Sequence, residues 1–140
     1  MQRLYALAVV LSLALLLGCG SSGASDSAVK ETVEHGVAQL REPQTAEQRH
    51  DALVRTLRKL RDEHASTATG RKGRALAIKG FTWTLRGIDA RLEMTRNDSG
   101  NLEASVHDAV RADRDLRKGG RLLRAAGRSL GIRIGKLNGF

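Results

Sequence analysis

From Leu4 to Leu17 the chain is apolar except for Ser12, and from Ala28 onward apolar residues recur at every third or fourth position. The second pattern predicts helices that each bury one face. Val29, Val33, Val37 and Leu40 form a first stripe, ended by Pro43, whose ring disfavours helical backbone at the residue before it. Thr45 is placed to cap a second helix with the stripe Ala46, His50, Leu53, Leu57, Leu60 and His64, and Ser66 to Gly70 predicts the break that follows.

A third helix, expected from about Gly70 to Arg96, carries Ile78, Phe81, Leu85, Ile88 and Leu92 as a seam. A second stripe, Leu76, Gly80, Trp83, Gly87, Ala90 and Met94, is displaced from the first by two residues, hence by about 200°. Apolar residues on two sides predict a helix wedged centrally between neighbours. Gly80 and Gly87 each cost up to about 1 kcal/mol of helix propensity, which predicts close approach of another backbone there. After the turn signal Asn97-Asp98-Ser99-Gly100-Asn101, a fourth helix is expected from about Asn101 to Leu130 or beyond. Its seam reads Leu102, Val106, Ala109, Asp113, Leu116, Gly120, Leu123, Gly127, Leu130, Ile134 and Leu137, with Gly119-Gly120 as a candidate kink. The four segments predict an all-α fold, an antiparallel up-and-down bundle with Leu85 and Leu123 in its core.

Composition narrows the classes. The 140 residues include one Pro, one Cys and four aromatic rings, too few for a disulfide scaffold or an ordinary β-sandwich. The apolar run at the start is also too short for a comfortable span. About 20 apolar residues cross a bilayer core, whereas about 7 to 15 make the hydrophobic region of a secretory signal.

That run follows Met-Gln-Arg and ends in Leu16-Leu17-Gly18-Cys19, which resembles the lipobox of bacterial lipoproteins. The resemblance covers residues 1–20 only, and it implies a diacylglyceryl group on the Cys19 thiol with cleavage just before it. Residues 1–18 are then a signal peptide, 19–27 a lipidated cysteine with a flexible Gly/Ser tether, and 28–140 the helical bundle. It also implies export and anchoring on the extracytoplasmic side, at the outer membrane if the cell has two membranes and otherwise on the outer face of the plasma membrane.

The formal net charge is +9. Most of the excess lies late in the chain: from residue 111 there are nine basic residues against Asp113 and Asp115, whereas 19–110 holds 14 basic and 13 acidic residues. Arg114, Arg117, Lys118, Arg121, Arg124 and Arg128 recur at spacings of three and four and share a face. Such a face is either solvated helix surface or a contact for anionic material, and lipid is the nearest candidate for a membrane-tethered domain. Gly127, Gly131, Gly135 and Gly139 repeat a G-x-x-x-G register that suits helix association in an apolar setting, here interrupted by Arg128, Arg133 and Lys136.

Catalytic chemistry lacks a convergent set of groups. His50 and His64 are separated by 14 helical residues, about 21 Å, and cannot share a metal. There is no phosphate-cradling loop and no nucleophile elbow, so no enzyme activity, cofactor or metal is expected. The expected role is non-catalytic, structural or binding, with the basic last helix on anionic lipid or envelope polymer. An alternative is a protein-interaction module, for a second copy or an envelope partner, using Trp83 and the faces lined by Gly80, Gly87, Gly120 and Gly127. Nucleic-acid binding is a minor alternative, because the arginine-rich stretch has no stacking ring before Phe140.

Overall fold

The computed structural model describes residues 21–96 and 102–137. The hydrophobic run, Cys19, the 97–101 turn and Gly139 lie outside the described residues. The fold is all-α: α1 (Ser21–Arg41), α2 (Ala46–Asp62), α3 (Ala68–Arg96) and α4 (Leu102–Leu130), with no strand among the described residues. Among them, too, no helix is long and apolar enough to cross a membrane.

Cross-helix contacts fix an antiparallel register. The Thr32 hydroxyl of α1 donates to Glu63 at the end of α2, at 2.6 Å, and Arg74 of α3 donates to the α2 carbonyls of Leu60 and Arg61 at 2.7 and 2.8 Å. Between α3 and α4 the register is a ladder in which Gly73 faces Leu130, Gly80 faces Leu123 and Gly87 faces Leu116. Each step of seven down one helix is matched by seven up the other. Helix α3 touches all three other helices, as α1 also does, and lies most extensively against α4 rather than wedged between neighbours on two opposite faces.

The start of α2 is a capping box: Thr45 Oγ1 accepts from the Gln48 N–H at 3.2 Å, and Gln48 Oε1 accepts from the Thr45 N–H at 3.0 Å. The two apolar stripes of α3 turn out to be the flanks of one buried face. Its centre is lined by Gly73, Ala77, Gly80 and Thr84, with Phe81, Ile88 and Leu92 beside them, while Ile78, Leu85, Leu76 and Trp83 are only half-buried. Leu85 is therefore not the core residue the sequence suggests. Small residues occupy the centre because α4 comes too close for larger ones, and a pattern weighted by large apolar side chains overlooks them.

Helix α1 begins at Ser21 rather than near Ala28, so residues expected to be tether are helical. What holds this turn is Asp26. Its Oδ1 accepts from the Ser66 N–H at 2.7 Å, its Oδ2 accepts from the Thr67 hydroxyl, and Thr67 Oγ1 in turn accepts from the Gly70 N–H at 2.9 Å. A carboxylate from one helix thus sits over the N-terminus of another, where the peptide dipoles favour negative charge. The Thr67 hydroxyl bond, outweighing partial desolvation and aided by the Ser66 and Thr67 N–H groups and Arg71, holds the Asp26 carboxyl below its ordinary value. A carboxyl lowered on folding stabilises the fold above its unfolded-state value of about 3.9, and that contribution disappears as pH falls through the lower folded value. Asp26→Asn is therefore expected to lower the thermal midpoint at neutral pH, by circular dichroism, and to lose less on acidification below about pH 4 than the parent does.

Helix α4 departs from its predicted seam at both ends. Helices α1 and α2 stop near the level where His50 faces Asp89, with Nε2 3.4 Å from the carboxylate, so the first turns of α4 have only α3 beside them. Val106 and Val110 are consequently 55% and 52% exposed. Asp113 sits on the flank, 2.7 Å from Arg91. The helix runs unbroken through Gly119-Gly120 and stops at Leu130. Gly131 adopts φ 69°, and the Ile132 N–H donates to the Gly127 carbonyl at 2.9 Å, a glycine-terminated helix end of the Schellman type. Residues 132–137 then fold back along α4, Ile134 against Gly127 and Leu137 beside Gly120. Ile134 and Leu137 meet the core, as their spacing suggested, but from a reversed tail rather than a continued helix. The expected G-x-x-x-G helix register ends with α4, because glycine at 131 adopts a left-handed conformation at little cost.

Candidate functional site

The six basic residues picked out on the last helix do not behave as one set. Lys118 places Nζ 3.5 Å from the centroid of the Trp83 ring, and Arg86 places its guanidinium carbon 4.4 Å from the same centroid. The Arg86 contact lies within α3, and the Lys118 contact joins α3 to α4 and takes Lys118 away from the open face. Arg117 lies 3.9 Å from Asp113, a weak pair one turn back along the helix. Arg114, Arg121, Arg124 and Arg128 are exposed and, among the described residues, have no carboxylate within ion-pair distance. Where cations occur nearer the α3 seam they are paired: Asp115, 8% exposed, has Arg86 at 3.7 Å, and Arg91 has Asp113.

The helix-contact candidates are occupied from within the chain. Gly80 and Gly87 receive Leu123 and Leu116, so the close approach expected of them is made by α4. Gly120 and Gly127 lie under the returning tail, and Trp83 lies under two cations. Of the histidines weighed as ligands, His50 bridges Asp51 and Asp89 at 3.1 and 3.4 Å, and His64 Nδ1 is 3.1 Å from the Asp62 carbonyl. Among the described residues, no three His, Cys, Asp or Glu side chains converge as metal ligands.

Folding also redistributes the charge in a way that the linear count misses. One end of the bundle gathers the start of α1, the end of α2, the start of α3 and the end of α4 with the tail's first residues: segments 21–30, 58–75 and 126–134. These hold nine basic and three acidic residues. Two of the three acidic groups are engaged internally, Asp26 over α3 and Glu63 with Thr32 and Lys59. The opposite end, segments 38–50, 89–96 and 102–113, holds five basic and seven acidic residues. The bundle is thus polarised along its length. Only Arg128 of the sequence-derived face lies in the basic end; Arg133 belongs to the late basic excess but not to that face, and Arg58, Arg61 and Lys72 have no signal in the linear pattern because they fall in the nearly neutral 19–110 stretch.

Beside Arg124 and Arg128, the tail leaves a shallow open cleft of about 340 Å³ lined also by Gly131, Ile132, Arg133 and Ile134. Three guanidinium groups around an open cleft suit a singly or doubly charged oxyanion and supply no nucleophile or general base. No family model, curated protein or solved structure matches the chain.

Proposed function

We propose that this is a lipid-anchored protein of the cell envelope with a non-catalytic role, holding a small helical bundle against anionic material at a membrane surface. The observation that carries the reading is the excess of exposed cations that have, among the described residues, no carboxylate within ion-pair distance: Arg114, Arg121, Arg124 and Arg128 on α4, with Arg58, Arg61, Lys72 and Arg133 at the basic end of the bundle. The lipobox-like Leu16-Leu17-Gly18-Cys19 supports the anchor. Two or three acyl chains, at about 0.8 kcal/mol per buried methylene, hold a domain stably where one chain would not. Once the domain is tethered, each Lys or Arg near an anionic surface adds about 1 kcal/mol.

The reading is tested at its anchor. Cys19→Ala is expected to leave an unprocessed precursor of higher mass that incorporates no labelled fatty acid, whereas the parent chain is shortened by 18 residues and labelled. Normal processing of the variant would refute the anchor.

A further inference from the structure

Resting on the reading above, we infer that the membrane contact is made by the basic end of the bundle, which stands on anionic lipid with its helices steep to the surface, rather than by the length of α4 lying flat. Six cations ring that end: Lys30 from α1, Arg58 and Arg61 from α2, Lys72 from α3, Arg128 from α4 and Arg133 from the tail. Among the described residues none has a carboxylate within ion-pair distance. Their only unengaged acidic neighbour in that end is the exposed Asp62.

Two independent features meet here. The cationic ring is a product of the fold, assembled from four helices and the returning tail. The anchor is a product of the sequence, and Cys19 lies two residues before Ser21, the first residue of α1. Two residues of chain reach at most about 7 Å. Asp26 fixes the early turns of α1 against the α2–α3 connection, so an acylated Cys19 reaches the membrane from the basic end.

A flat α4 fits less well. Arg114 and Arg128 are 14 residues apart, about 21 Å along the helix. Laying that face down would bring Glu103, three turns before Arg114 on the same side, toward the anionic surface, and would leave Arg58, Arg61 and Lys72 of the other helices unused.

The six lysines of the segment 30–136 provide a map. The full anchored chain is reconstituted in vesicles of phosphatidylcholine alone or of equal parts phosphatidylcholine and phosphatidylglycerol, then treated briefly with an amine-acylating reagent and read by mass spectrometry. The tether is the same in both vesicles, so a difference reports charge. One cation held at such a surface is worth about 1 kcal/mol, about a fivefold change in occupancy. In the charge-conserving variant Arg114→Lys/Arg121→Lys, which puts reporters on the open face of α4, Lys30 and Lys72 are expected to be about fivefold less reactive on the anionic vesicles, with the lysines introduced at 114 and 121 unchanged, and the protection is expected to fade in high salt. In the variant Arg58→Gln/Arg61→Gln/Arg128→Gln, with helical circular dichroism unchanged, protection of Lys72 is expected to be lost. Protection at positions 114 and 121 with Lys30 and Lys72 unchanged would overturn the end-on contact and leave the anionic-lipid reading standing. Equal reactivity of all lysines on both vesicles would overturn both.

Discussion

Leu123→Ala is expected to lower the free energy of unfolding by about 3 to 5 kcal/mol, the upper part of the range for emptying a leucine site in a closed core. Leu123 is fully buried, and its side chain fills the hollow over Gly80. Neither wall of that hollow can relax inward without moving a helix backbone, so the space is left as a cavity and the lost dispersion contacts are not replaced. A domain of this size is stable by about 5 to 15 kcal/mol, and the variant therefore forfeits a large share. Leu85→Ala, at a half-buried position on the flank of α3, is expected to cost less than half as much. Urea unfolding followed by helical circular dichroism measures both, and similar losses for the two would show that the α3–α4 seam is not the tight element described.

The adjacent glycines of α4 are expected to respond in opposite directions. A Cβ at Gly119 would stand 2.9 Å from both the Gly80 carbonyl oxygen and the Thr84 amide nitrogen, which are backbone atoms of α3. Backbone cannot swing aside as a side-chain tip can. Gly119→Val must separate the two helices, withdrawing Leu116 and Leu123 from their hollows, and is expected to cost about 3 kcal/mol or more. At Gly120 the nearest atoms to a new Cβ are Arg124 Nη1 at 3.6 Å and Leu137 Cδ1 at 4.0 Å, both ordinary contact distances. Gly120→Ala removes a helix-destabilising residue without a clash and is expected to gain up to about 1 kcal/mol. Thermal unfolding of the pair separates the effects, since a sequence-only argument from helix propensity predicts stabilisation at both positions.

That pair also shows where the linear pattern stops being informative. Read along the chain, Gly119 and Gly120 are one weak point in a helix; in the fold, one sits against the α3 backbone and the other looks toward a returning tail. The spacing of large apolar residues locates the four helices of the described residues, and Thr45 is legible as the cap of the second. The same spacing misassigned the centre of the α3 face, because Gly73, Ala77 and Thr84 carry little hydrophobic signal although α4 packs directly on them. It also extended α4 past Leu130, since Ile134 and Leu137 keep helical spacing while reaching the core by another route.

The sequence by itself determined the four helices of the described residues, the class of fold and the lipobox-like string ending at Cys19, because these depend on residues near one another along the chain. Only the tertiary structure decided that Asp26 caps a helix of another segment, that Lys118 is spent on Trp83, and that one end of the bundle gathers basic residues from four helices and the tail while the opposite end is net acidic. The physical reason is the same in each case. Periodicity records which face a residue presents, but a hydrogen bond, a cation over a ring or a cluster of unpaired charges depends on which turns of different helices lie at the same height. That height is set by how closely the helices pack, through small residues that periodicity barely registers.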